Sequence, residues 1–211
     1  MTNEFNTEQE KFWAGEFGDN YIVRNQGQNL IASNTSIFAR VFQNLYTNVD
    51  SVIEFGANIG MNMHAIRNLL PQTHLSCIEI NATAVDHLRK IPNLTVHHQS
   101  ILTFHAQQQY DFVFSKGVLI HIDPSELCNV YEHMYNASKR YICMVEYHSP
   151  SPIELDYRGH KEKLFKRDFA GEMWEKYPDL LLVDYGFFYG RDPKHGQEDM
   201  NWFLFEKREC C

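Results

Sequence analysis

Apolar and polar positions along the chain change period several times, and each change marks an element. Ser51–Phe55 (SVIEF) is a short apolar run ended by a glycine and reads as a strand. Ile59, Met63, Ile66 and Leu70 fall at helical spacing, and Pro71 stops that helix. Leu75–Ile80 (LSCIEI) reads as a second strand, and Asn81 as the N-cap of a helix that runs to Lys90 through Ala84, Val85 and Leu88. Leu94–His97 and Tyr110–Phe114 (YDFVF) are a third and a fourth strand. Asp123 followed by Pro124 signals an N-cap and a first helical residue, with the helix running to about Ser138. Arg140–Glu146 (RYICMVE) is a fifth strand, and Ser149–Pro152 breaks the pattern. Lys166–Tyr177 is again helical in spacing. Leu180–Tyr189 and Trp202–Phe205 are late strands separated by the loop Gly190–Asp199.

Strands alternating with helices predict a doubly wound α/β fold, mostly parallel, with helices on both faces of the sheet. Ligands of such sheets bind in the crevice beyond the carboxyl ends of the strands. That places the chemistry at the residues that follow each strand. The 211 residues suffice for one such domain. The expected division is an N-terminal helical extension or lid over 1–45 and a Rossmann-like domain over 46–211, with an acceptor-binding insertion at about 147–165.

The net charge of −8 argues against a nucleic-acid partner held by a broadly basic surface. No apolar run approaches membrane-span length, and the first eleven residues are polar and acidic rather than a secretory signal. Of five cysteines, Cys77, Cys128 and Cys143 sit in apolar segments and read as buried thiols, with Cys210 and Cys211 an incidental end. No CxxC spacing is present, so a reduced, cytoplasmic setting is expected. The eleven histidines show no metal-site spacing, and His97 and His98 point to opposite faces of a strand. No metal is expected. The sequence leaves the oligomeric state open.

The first strand leads into Glu54-Phe55-Gly56-Ala57-Asn58-Ile59-Gly60. Glycines there let the backbone turn tightly and approach a ligand, beside the unpaired amides of the next helix. The pattern is not a dinucleotide fingerprint, since Asn58 stands at the middle position, and no Gly-Lys-Ser/Thr follows for a phosphate loop. An acidic residue before the loop repels a pyrophosphate but suits a cationic ligand, which favours S-adenosylmethionine with its ammonium and sulfonium. Glu79, ending the second strand, is placed to hold two ribose hydroxyls. Gln99-Ser100-Ile101 follows the third strand, where an adenine would lie, and Ser115-Lys116-Gly117-Val118 follows the fourth. The cofactor-binding candidates are therefore Glu54, Gly56, Ala57, Asn58, Gly60, Glu79, Ile80, Ser100, Ile101, Lys116 and Gly117.

The stretches FWAGEFGDNYIVRN, VIEFGANIGMN, FSKGVLIHIDP, YRGHKEKLFKRDFAGEMW and WFLFEK carry a resemblance that spans nearly the whole chain. The sequence resembles the class I S-adenosylmethionine-dependent methyltransferases. More narrowly, it resembles the small methylases associated with pseudaminic acid and related surface-polysaccharide biosynthesis in bacteria. The resemblance implies a seven-stranded sheet whose last strand runs antiparallel between its neighbours, with S-adenosylmethionine as methyl donor. It implies O-methylation of a surface-sugar or glycan precursor of nonulosonic acid type. The superfamily often has glycine where Asn58 stands and aspartate where Ser100 stands. A small-molecule natural product methylated on oxygen or nitrogen is the alternative acceptor, and a non-catalytic cofactor-binding module the alternative class. The Asn/Asp-Pro-Pro-Tyr/Phe motif of base N-methyltransferases is absent at Ser115–Val118.

A hydroxyl acceptor gains from a base that takes its proton, and the base must lie beyond the strand ends. His121 in GVLIHIDP, His148 after the fifth strand and Asp168 in KRDF are the catalytic candidates. Tyr157-Arg158-Gly159-His160-Lys161 is dense in donors, and Arg158 or Arg167 is suited to a sugar carboxylate. Tyr157, Arg158, His160 and Arg167 are thus substrate-binding candidates. Trp13, Phe17, Tyr21 and Arg24 recur at roughly helical spacing, and Tyr21 and Arg24 join the substrate set as part of a lid.

Overall fold

A computed structural model of the protein describes residues 5–194 and 196–208. Three helices open it: α1 (Glu8–Ala14), α2 (Glu16–Arg24) and α3 (Gln28–Phe42). Alternation then follows: β1 (Ser51–Phe55), α4 (Met61–Leu69), β2 (His74–Glu79), α5 (Ala82–Leu88), β3 (Leu94–His98), β4 (Tyr110–Lys116), α6 (Leu127–Ala137) and β5 (Ser138–Glu146). The last stretch holds β6 (Ile153–Tyr157), β7 (His160–Lys166), α7 (Phe169–Lys176), β8 (Leu180–Phe188) and β9 (Met200–Lys207).

Seven strands form one sheet in the order β3-β2-β1-β4-β5-β9-β8. The first five are parallel neighbours, and β9 runs antiparallel between β5 and β8. This is the expected doubly wound fold, with the expected reversed last strand. The two faces divide by period two. Val52 and Phe112, Phe114, Cys143 and Val145 face α3 and α4, with Phe38 and Val41 of α3 fully buried against them. Ile53, Phe55, Val113, Ile142 and Met144 face the opposite way, towards α6 and α7. The parallel centre is buried on both faces, so its strands read as continuous apolar runs.

Side chains terminate the elements as the sequence implies. Thr7 and Glu10 make a reciprocal capping box at α1. Asn81 accepts from the Ala84 amide at 2.8 Å at the start of α5. Asp123 caps a short 3₁₀ turn, Pro124–Glu126, so the helix itself starts only at Leu127.

Two expectations, for Lys166–Tyr177 and for Cys128, are corrected, and the expected insertion takes a definite form. The segment Lys166–Tyr177 is not helical throughout, because Lys166 ends β7 and α7 starts at Phe169, where Asp168 accepts from the Gly171 amide at 2.9 Å. The insertion is a two-stranded antiparallel hairpin, β6–β7, apart from the main sheet. Cys128 is exposed, whereas Cys77 and Cys143 are buried free thiols. Cys210 and Cys211 lie outside the described residues. Within 1–45, α3 packs on the sheet through Phe38 and Val41, while its first two turns, with α1 and α2, reach the cavity at the strand ends. Among the described residues, no helix is long and apolar enough to cross a membrane.

Candidate active site

The carboxyl ends of β1, β2 and β4, with the segments that follow β3 and β5, open into a cavity of about 540 Å³. Its floor is the turn between β1 and α4. Gly56 and Ala57 both donate their amides to the Ile78 carbonyl, at 3.0 and 3.1 Å, which ties the turn to β2. Gly56, Asn58 and Gly60 take φ of 79°, 48° and 84°, the left-handed region that glycine and asparagine tolerate best. A Cβ at Gly56 would stand 2.7 Å from a methyl of Val118, on the loop after β4. Two loops therefore meet here with no room for a side chain.

Three buried carboxylates organise the strand ends. Glu79, at the end of β2, accepts from the Asn58 amide at 2.7 Å and the Asn81 amide at 2.8 Å. Burial pushes its carboxyl up, and the amides of Asn81, Asn58 and Ile80 pull the other way. It lines the cavity with acceptor capacity remaining. Glu54 is fully buried, and burial pushes it up to about 8, opposed by its bond from Asn62 Nδ2 at 2.5 Å and by the Lys116 charge. Its Oε2 and the Asn62 Oδ1 are buried acceptors with no donor among the described residues. Glu146 ends β5 and accepts from Ser115 Oγ at 3.0 Å, from the Val118 amide at 3.1 Å and from the Leu119 amide at 3.2 Å. Burial pushes it up to about 7, and it fixes the loop whose Val118 meets Gly56.

The other wall is aromatic. Helices α1 and α2 and the β6–β7 hairpin close on one another there. Gln9 donates to the Glu162 carbonyl at 3.0 Å, and Phe12 packs on His160 at 4.9 Å between ring centroids. Between them lies His121, its ring 4.5 Å from Trp13 and 4.9 Å from Tyr157. His121 Nδ1 is 2.6 Å from the Lys163 carbonyl oxygen. A carbonyl only accepts, so Nδ1 carries the hydrogen and the neutral ring has its lone pair on Nε2. Burial pushes this imidazole down to about 4, against the opposing pull of the Lys163 carbonyl.

Gly56, Ala57, Asn58, Glu79, Ile80, Ser100, Ile101, Lys116 and Gly117 all line the cavity, as do His121, Tyr21, Arg24 and Tyr157. Glu54 and Gly60 lie just behind the lining. A Cβ at Gly60 would meet Ile91 at 2.6 Å, so that glycine serves packing between α4 and the segment after α5.

The remaining candidates are elsewhere. His148 bridges the Arg167 backbone beside Phe203, its Nδ1 3.7 Å from Asp168, and neither His148 nor Asp168 reaches the cavity. Arg167 donates to Glu172 at 2.7 Å. Arg158 sits exposed in the hairpin turn, and His160 packs on Phe12 and Phe17. Among residues not singled out from the sequence, Asn62, Asn34 and Gln197 line the cavity. Gln197 accepts from Lys116 at 2.9 Å and donates to Asn34 at 2.6 Å, which brings the β8–β9 loop over the opening. Glu146 had a legible signal: its strand ends as β2 does at Glu79, in a glutamate after an apolar run. Gln197 had none.

No protein-family model matches the sequence, and no curated protein matches it significantly. Solved structures do. A Leishmania major S-adenosylmethionine-dependent methyltransferase superposes with a TM-score of 0.71 at 12% identity, over 95% of this chain and 87% of that one. The plantazolicin methyltransferase BpumL, solved with a substrate analogue and S-adenosylhomocysteine, gives 0.67 at 11% identity over 95% of each chain. The glycopeptide N-methyltransferase MtfA gives 0.64 at 13% identity, over 83% of this chain and 95% of that one, and has also been solved with S-adenosylmethionine. The strand order, the reversed β9 and these superpositions together make this the fold of the class I S-adenosylmethionine-dependent methyltransferases.

Proposed function

We propose that the chain is an S-adenosylmethionine-dependent methyltransferase acting on a hydroxyl of a small acceptor. The observation that carries this is the left-handed turn at Gly56 and Asn58, locked to the Glu79 carboxylate at the floor of the cavity. The residues fit the cofactor. Glu79 retains capacity for two ribose hydroxyls, Ile80 and Ile101 flank an apolar slot for adenine, and Ser100 stands at its edge. Glu54 Oε2 and Asn62 Oδ1 are buried oxygens with no partner among the described residues, and an ammonium that donates to both draws the otherwise neutral Glu54 into its ionised form. Lys116, near Glu54, suits the accompanying carboxylate.

The cofactor, when bound, supplies a methyl group on a good leaving group. The chain's own work is then positioning and proton removal. His121 accepts the hydroxyl proton on Nε2, held in that tautomer by the Lys163 carbonyl. Helices α1 and α2, as a lid, and the hairpin exclude water from the acceptor end.

The sequence resemblance favours a nonulosonic acid type sugar precursor as acceptor. The second reading is a small natural product. The aromatic wall of Trp13, His121 and Tyr157 favours it, since it offers aromatic surface for an apolar acceptor. A methyltransferase of similar fold from Burkholderia thailandensis was solved with 1,6-didemethyltoxoflavin and S-adenosylhomocysteine.

The test is calorimetric titration with S-adenosylmethionine and S-adenosylhomocysteine. Binding that is lost in Glu79→Ala, while that variant keeps its circular dichroism and cooperative melt, supports the reading. A folded wild-type protein that binds neither ligand sinks it.

A further inference from the structure

Arg24 is a charged group at this cavity with no counter-ion among the described residues. Its guanidinium lies over Phe17 at 5.6 Å and over Tyr21 at 5.9 Å from the ring centroids, and it makes no ion pair among those residues. Two cation–π contacts favour this position of the exposed guanidinium while its N–H groups stay available. Of the other arginines considered for substrate, Arg167 is spent on Glu172, and Arg158, whose charge also reaches the Tyr21 hydroxyl and which lies over Tyr157 at 6.0 Å, does not itself line the cavity. From Arg24 the aromatic wall is continuous. Tyr21 contacts Trp13 at 5.2 Å, Trp13 contacts His121 at 4.5 Å, and Tyr157 covers His121 at 4.9 Å. A cation thus stands at one end of a run of mutually tilted aromatic rings, and a proton acceptor at the other.

We infer that the acceptor is a hydroxy-carboxylate. Its carboxylate sits on the Arg24 fork, its apolar face on Trp13 and Tyr157, and its hydroxyl at His121 Nε2. This rests on the methyl-transfer reading of the cavity. The O–CH₃ bond forms as the donor's S–CH₃ bond breaks. The bonding pair stays on sulfur, and the hydroxyl proton passes to Nε2. Bidentate, charge-assisted recognition makes the carboxylate, rather than the rest of the molecule, the group that is selected. Sugar acids and aromatic hydroxy acids share this chemistry.

Glu198 is the competing feature. It also lines the opening and acts on the Tyr21 hydroxyl together with Arg24. If Arg24 served only to close the opening against Glu198, acceptor charge would be irrelevant.

The experiment titrates the protein, with S-adenosylhomocysteine present, with two matched pairs: N-acetylneuraminic acid and its methyl ester, and 4-hydroxybenzoate and its methyl ester. At least one acid is expected to bind about tenfold or more tightly than its ester, the scale of one charged hydrogen bond. Arg24→Met, which keeps the stem, abolishes the difference. Glu198→Gln preserves it. The pair that discriminates identifies the source. The inference is overturned if acid and ester bind alike, if no acid binds at millimolar concentration, or if Arg24→Met and Glu198→Gln weaken acid and ester equally. Loss of the methyl-transfer reading is separately visible as failure to bind S-adenosylhomocysteine, which leaves the acid-against-ester comparison intact.

Discussion

One methyl group at Gly56 is enough to separate the two loops that make the cavity floor. In Gly56→Ala the new Cβ lies 2.7 and 2.9 Å from the two Val118 methyls, at a φ that alanine adopts poorly. A cost of about 1–3 kcal/mol in stability is expected, together with loss of cofactor affinity, read by denaturant melts and calorimetry. Glu54 makes a second prediction at this scale. Its folded value lies above its ordinary one, so its contribution is complete below 4.5 and is lost as pH rises through about 8. Glu54→Gln mimics the protonated form and should raise the melting temperature relative to wild type above pH 8, with little change near pH 5. A wild-type melt that is flat between those limits would count against a neutral Glu54. His121 has the opposite sign: its imidazole is pushed down to about 4, so it stays a neutral base well below ordinary histidine range. The acid limb of kcat/KM should inflect nearer 4 than 6.5, and His121→Ala should lose about 10²–10⁴-fold in transfer with cofactor affinity kept. Gly56, Glu79 and His121 were legible because each follows a strand in an α/β pattern. Their partners were not. Nothing local in the sequence sets Lys163 against His121, or Glu146 against the Val118 amide, because those bonds join segments 42 and 28 residues apart.

At the scale of elements, strands and helices of the sheet were legible from period alone, to within a few residues at each end. The β6–β7 hairpin was not. Its β6 does alternate, as Ile153-Glu154-Leu155-Asp156-Tyr157, but the run is five residues long, lies beside the prolines of Ser149–Pro152 and is exposed at all but its last position, so no buried face marks it as a strand. That hairpin also explains why His148 and Asp168, singled out from the sequence, lie away from the cavity. After β5 the chain turns to pair His148 with Arg167, and Asp168 is used up as the cap of α7. Helix α1 is short and leans on its capping box, with only Gln9 and Glu10 buried. Thr7→Ala should cost that helix about 0.5–2 kcal/mol. Amide exchange should quicken across Glu8–Ala14 and leave the strands unchanged. Exchange that quickens in the sheet as well would mean that α1 is part of the main cooperative unit rather than a cover on it.

For the whole molecule, a ligand that binds only the folded state adds about 2.7 kcal/mol at a hundredfold excess over Kd. In a domain of this size that corresponds to a rise of about 5–10 °C in melting temperature. S-adenosylhomocysteine should give such a rise and Glu79→Ala should lose it. The assembly order of the sheet has a consequence of another kind. Strand β9 pairs with β5 on one side and β8 on the other, across its whole length. Synthesis on the ribosome lays down both of those neighbours before the strand that separates them exists. Until Met200–Lys207 emerges, the nascent chain presents β5 and an aromatic-rich β8 as two open edges that can find each other, or another chain, in the wrong register. The half-sheet that carries Gly56, Glu79 and Lys116 is complete by then. The cell therefore meets this protein first as a cavity floor on an unfinished sheet, still without Gln197 and Met200 over its opening, which is the stage at which a chaperone has something to hold.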